Sequence, residues 1–349
     1  MSQIRQGSRR DTSGEAKRIK NAPQGAQRNS EDNSHQAAVW LWRIDCVNPK
    51  PKPKIFFACH VIQIRFALGA LLLCFAFTAG AAEPAALLRL THDGHFKQRP
   101  VWSADGKHVV FARHRGGKIG LVVIAGDGSA EKSITSGKFP QYDASWSPDG
   151  ARLAFTHVPQ SGTQGNLDIF LAKADGSEPQ KFAGDQGKLS HEEYPAWSPD
   201  GRRIAWSSTF EGNQELYVAD IDGSNRLRLT NHPALDAHPA WSADGKKIAF
   251  ATNRWGDFEI AVIDADGKNL ARLTESRGFD DYPVFSPNGK RIAWTSNRDG
   301  NYEVYVMDED GARPTNVTRS AALDNFPAWT PDLHFLTFVW QCRAAEAAP

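Results

Sequence analysis

One line of text recurs along the chain: "YPAWSPDGRRIAWSS" at Tyr194–Ser208, "HPAWSADGKKIAFAT" at His238–Thr252 and "YPVFSPNGKRIAWTS" at Tyr282–Ser296. Its anchor is an aromatic residue followed by Ser or Thr, and it falls at Trp102, Trp146, Trp197, Trp241, Phe285 and Trp329. The spacings are 44, 51, 44, 44 and 44 residues. A period in the forties, built of short strands between turn signals, is the mark of propeller blades. A catalytic group is not needed six times, whereas a packing plug is. The six anchors therefore read as structural.

One repeat can be followed residue by residue. "PAW" (Pro195–Trp197) is a short first strand, and "SPDG" (Ser198–Gly201) is a tight turn. There Pro sets φ, Asp caps backbone amides and Gly accepts a positive φ. "RRIAWSS" alternates Ile204 and Trp206 against Ala205 and Ser207, the period of a half-buried strand. "ELYVADI" alternates again, "DGSN" turns, and "RLRLT" (Arg226–Thr230) is an outer strand. Long helical periodicity is absent after residue 82. The longer step between Trp146 and Trp197 holds "VPQSGTQGN" and "AGDQGKLSH", read as loops within the second blade.

The expected fold is thus all-β: a six-bladed β-propeller of four-stranded antiparallel blades over residues 87–340. "LLRLT" (Leu87–Thr91) matches the outer strands, so an N-terminal strand closes the ring and removes two sheet edges. The last repeat supplies only first and second strands, so the sixth blade is expected to lack a third. It also carries Leu333 where the turn glycine belongs.

Residues 82–349 hold 29 Lys+Arg against 35 Asp+Glu, a net charge of −6. No clustered positive surface offers itself to phosphate, which argues against nucleic acid as a partner. The cysteines Cys46, Cys59, Cys74 and Cys342 form neither a disulfide framework nor a zinc spacing.

Residues 1–60 are mostly polar and read as a disordered or misassigned extension. Residues 61–81 read as a secretory signal peptide: Arg65 precedes an apolar run from Phe66 to Ala79, and Ala79-Gly80-Ala81 is an A-x-A cleavage signal. The expected address is periplasmic or secreted, with no stable membrane span after cleavage. Residues 341–349 form a tail.

"YPAWSPDGRRIAWSS…ELYVADIDGSNRLRLT" resembles the PD40, WD40-like repeat of the TolB-type propeller family. The resemblance covers about residues 87–340. It implies a periplasmic six-bladed propeller related to the Tol–Pal envelope system, monomeric, binding an envelope protein or peptide such as a peptidoglycan-associated lipoprotein. The α/β domain that precedes the propeller in that family has no counterpart in the matched residues. Tricorn-like and prolyl-peptidase propellers have similar repeats followed by a hydrolase domain, but the chain holds no G-x-S-x-G elbow. The expectation is a binding protein that is no enzyme and needs no cofactor.

Five residues before each anchor lie Lys97, Gln141, Glu192, Asp236, Asp280 and Asp324. Four successive acids at the entry to the innermost strands could form a negative rim at one mouth of the channel, for a cation or basic peptide. Tyr194, His238 and Tyr282 would stand beside them. The alternative is that each carboxylate caps its own loop. His92, His95, His191, His232 and His238 fall in the same entry loops, with His191 and His238 the candidates for a divalent metal. That would suit a metal-dependent carbohydrate-active propeller like oligogalacturonate lyase. A pure scaffold is the third possibility. Arg254/Glu259 and Arg298/Glu303 flank hairpin turns and read as cross-hairpin ion pairs. "DIDG", "DADG" and "DEDG" read as hairpin turns, not calcium loops.

Overall fold

The computed structural model describes residues 59–65, 87–159, 166–183 and 189–341. The extension before residue 59, most of the leader and the tail from 342 lie outside them. Six four-stranded antiparallel sheets form the blades of a propeller. Blade three shows the plan, with Glu192–Trp197 innermost, then Arg203–Ser208, Glu215–Asp220 and the two-residue outer strand Leu227–Arg228. The innermost strands of the other blades are Phe96–Trp102, Gln141–Trp146, Asp236–Trp241, Asp280–Phe285 and Leu323–Trp329. Among the described residues, no helix is long and apolar enough to cross a membrane.

Second and third strands are Val/Ile/Ala-rich, because both of their faces pack against neighbouring blades. Each interblade core is contiguous: Leu216 and Val218 of blade three meet Ile248, Phe250 and Ile263 of blade four. The anchor aromatic staples blade to blade. The indole N–H of Trp146 donates to Val101 O (3.2 Å), that of Trp241 to Ala196 O (3.0 Å) and that of Trp329 to Val284 O (3.3 Å). The Asp of each turn closes its own loop, as where Ser198 Oγ donates to Asp200 (2.6 Å) and Gly201 N to Ser198 O (2.9 Å). At the last turn Leu333 adopts φ 63°, the left-handed conformation the other five give to glycine. A side chain there costs roughly 1–2 kcal/mol.

The sixth blade differs from expectation. Its order is Leu87–Arg89, Cys59–Arg65, Phe335–Gln341, Leu323–Trp329. The third strand therefore exists. It spans the end of the segment read as an extension and the start of the one read as a leader, and it pairs along seven residues, from Cys59↔Gln341 to Arg65↔Phe335. Val61 is fully buried with Leu90, Val109 and Phe111 of the first interblade core. Ile62 packs on the other face with Trp329 and Phe338. The alternation of Val61 and Ile62 onto two opposed cores is what makes this strand fit.

Candidate functional site

Each innermost strand carries the same irregularity. Its pairing with the second strand slips at one place, for example between Glu193 and Ala196 or between Asp281 and Val284. At each slip one residue, three before the anchor, takes a left-handed backbone: Arg99, Asp143, Tyr194, His238, Tyr282 and Phe326, with φ from 47° to 60°. None is glycine. Such a backbone is costly for a side-chain-bearing residue, and its repetition in every blade identifies a shared task. A bulge re-aims the side chain, here toward the propeller axis.

The six spokes meet there. Tyr194 lies 4.1 Å from His238 between ring centroids, His238 4.0 Å from Tyr282, and Tyr282 4.5 Å from Phe326. Arg99 of blade one sits 5.2 Å from the Tyr194 ring and 5.7 Å from the Tyr282 ring, so its guanidinium spans to blades three and five. Its Nη1 is 3.4 Å from Asp143 Oδ1. The hub is therefore charged on blades one and two and aromatic on the other four. Cations over aromatic faces are favourable here because the site is desolvated.

Buried and half-buried acids surround the spokes. His238 Nδ1 lies 2.5 Å from Asp281 Oδ1. The Tyr142 hydroxyl donates to Glu193 Oε1 at 3.4 Å. Burial, reinforced by the Asp143 charge, pushes the Glu193 carboxyl up to about 8. Burial also raises Asp143, against the opposing pull of Arg99 and His238. Asp143 Oδ2 and His238 Nε2 are buried without a hydrogen-bond partner. Buried polar atoms without partners cost about 1–3 kcal/mol each, and they concentrate where a function retains them.

On the side of the hub where the first strands continue, a cavity of about 200 Å³ opens. Arg99, Tyr282 and Phe326 line it, together with Pro100, Pro283 and Pro327, the residues that follow them in the chain. Proline rings give it rigid apolar walls, and Arg99 gives it one charged group.

The expected acidic rim is not a surface. Glu192, Asp236, Asp280 and Asp324 are each 0% exposed. Nor does each simply cap its own loop. Trp206 Nε1 (2.6 Å) and Ser208 Oγ (2.8 Å) donate to Glu192. Arg254 Nη2 pairs with Asp236 at 2.5 Å, and Arg298 Nη2 with Asp280 at 2.7 Å. These arginines were expected to pair with Glu259 and Glu303. Instead Glu259 binds Arg272 (2.9 Å), and Glu303 accepts from Asn301 (3.1 Å) and Ser320 N (2.9 Å). Strand geometry decides this: Asp236 stands directly opposite Thr252, two residues from Arg254, so the guanidinium folds back over its own hairpin.

Of the residues singled out from sequence, Tyr194, His238 and Tyr282 are brought together, and the four acids are not at the channel surface. His191 sits in the loop before blade three, its backbone N–H donating to Thr209 Oγ1 (2.8 Å), and His232 and His92 are exposed. Among the described residues, no group of three or more His, Cys, Asp or Glu side chains is disposed to hold a metal. Arg99, Asp143 and Phe326 were not singled out as site residues. Their signal was in the text, three positions before each anchor.

This is a six-bladed β-propeller whose axis is closed by one side chain per blade. Residues 188–278 match the family model described as PD40, the TolB beta propeller domain. The chain is 38% identical over 87 residues to the Tol-Pal system protein TolB of Thioalkalivibrio sulfidiphilus, covering 25% of this chain and 19% of that protein. It is 30% identical over 103 residues to dipeptidyl-peptidase 5 of Porphyromonas gingivalis, covering 27% and 14%. The matches span less than half the length of these curated relatives. Among solved structures, the putative TolB from Agrobacterium tumefaciens superposes with TM-score 0.66 at 21% identity, covering 82% of this chain and 99% of that one.

Proposed function

We propose that the protein is an exported TolB-like propeller that binds a protein or peptide of the cell envelope at the hub cavity, in a Tol–Pal-related role. The observation that carries this reading is the cavity over Arg99, Tyr282 and Phe326. It joins rigid apolar walls to a single cation, and the left-handed backbone at Arg99, Tyr282 and Phe326 aims all three side chains at it. Aromatic and arginine groups of this kind are the usual anchors of recognition surfaces. The likeness to Tol-Pal system protein TolB suggests the partner, a peptidoglycan-associated lipoprotein.

Calorimetric titration with the purified peptidoglycan-associated lipoprotein of the same genome tests it. Tyr282→Ala and Arg99→Ala are each expected to weaken binding at least tenfold, with far-UV dichroism unchanged. Equal affinity in both variants would overturn the cavity as the site. Export has its own readout. Cleavage after Ala81 would detach the strand Cys59–Arg65 from blade six, and the mass of the mature protein reports whether that strand stays.

A further inference from the structure

Two neighbouring clefts between successive blades share a contact that the cleft between blades one and two lacks. After Gly150 and after Gly201, the residue two positions on reaches over the anchor aromatic of the next blade. Arg152 stacks on Trp197 at 5.0 Å, and Arg203 on Trp241 at 4.8 Å, guanidinium to ring centroid. Between blades one and two the same position is His108. Its ring lies 6.4 Å from Trp146, tilted by 39°. The shorter side chain leaves a cavity of about 370 Å³ against Trp146, within the size range of ligand pockets.

The walls of that cavity are acidic. Asp105, Asp149 and Asp175 line it, opposed by Lys132. All three aspartates are ionised at neutral pH. Hydrogen bonds from Ser103, Ser147 and Ser177 hold their carboxyls below the usual range, Asp105 at about 2. For Asp149 and Asp175 those turn hydrogen bonds engage Oδ1, which leaves Oδ2 for a ligand.

We infer that this cleft is a binding site for an arginine side chain carried by a partner polypeptide, which stacks on Trp146 and forks to Asp149 and Asp175. The occupant reproduces from outside what Arg152 and Arg203 do from within. A planar guanidinium suits it better than an ammonium, because it stacks on the indole while forking to two carboxylates. The site is separate from the hub cavity and does not rest on the reading given for it.

Fluorine NMR of the whole protein labelled with 5-fluorotryptophan tests this, with the Trp146 signal assigned by its loss in Trp146→Phe. N-acetyl-arginine amide is expected to shift that signal with millimolar affinity, at least fivefold more tightly than N-acetyl-lysine amide. His108→Arg fills the cleft from within and is expected to abolish the shift. Lys132→Ala removes the competing cation from an exposed position and is expected to tighten binding about threefold. The capped amide binding more tightly than free arginine assigns the site to a peptide-borne side chain, and the reverse order overturns that assignment. An unchanged shift in His108→Arg, equal response to lysine, or no response at all would each sink the proposal.

Discussion

Asp324→Asn is expected to stabilise the protein, on the order of 3 kcal/mol at pH 8, although it removes a charged group from the interior. Asp324 is the blade-six counterpart of Asp236 and Asp280, and it is fully buried. Neither of its oxygens has a hydrogen bond of good geometry, and the nearby Thr318 and Ser320 hydroxyls only partly offset its burial. In blades three to five a hydroxyl stands directly opposite the acid: Ser208, Thr252 and Ser296. In blade six the opposite residue is Trp340, and the position that holds Arg254 and Arg298 is Cys342 in the sequence. Burial, with Glu303 nearby, pushes the Asp324 carboxyl from 3.8 up to about 7. The folded protein therefore holds this proton more tightly than the unfolded chain does. Stability is lost as pH rises from about 4 to 7, by about 1.4 kcal/mol for each tenfold difference in proton affinity. Urea denaturation from pH 5 to 8 should show that slope reduced in Asp324→Asn, whose neutral amide can donate to Glu303. A variant no more stable than wild type at pH 8 would show that the charge is compensated.

The same position two blades earlier should give the opposite result. Arg254→Met is expected to cost about 3–5 kcal/mol, because it strands Asp236, which is 0% exposed, without its counter-ion. Burial already raises the Asp236 carboxyl, and the Arg254 guanidinium is the strongest group holding it down. Without that cation the carboxyl rises further, so the variant should lose most stability at alkaline pH. The double variant Arg254→Met/Asp236→Leu should recover much of the loss, since it removes the stranded charge along with its partner. Denaturant midpoints at pH 6 and pH 8 for wild type, Arg254→Met, Asp236→Leu and the double variant measure the coupling.

These contrasts show which parts of the molecule can be read from text. A recurring Trp-Ser-x-Asp-Gly encodes turn chemistry and an interblade staple, both local, so blade number and order follow directly. The depth of a residue is not local. Glu192, Asp236 and Asp280 recur in register and look like a rim, yet their burial depends on Trp206, Arg254 and Arg298 folding over them from the next strand. The hub was half legible. Tyr194, His238 and Tyr282 stood out as aromatic beside the acids, whereas Arg99 and Asp143 share their backbone conformation but not their chemistry, and Phe326 shares both yet follows the divergent entry Leu323-Asp324-Asn325. The third strand of blade six was illegible for a different reason. "CHVIQIR" abuts an apolar run, and a two-sided buried strand and the approach to a leader look alike without their partners.

Blade six also governs when the molecule can become itself. Its strands Cys59–Arg65 and Leu87–Arg89 must wait for Phe335–Gln341, which the ribosome makes more than 240 residues later. Until then Val61 and Ile62 have no completed blade to cover them, and blades one to five remain an arc with two bare margins. Loop-closure entropy makes such a distant pairing slow. The final clasp is therefore the expected rate-limiting event of folding, and the interval before it is when a chaperone has most to hold.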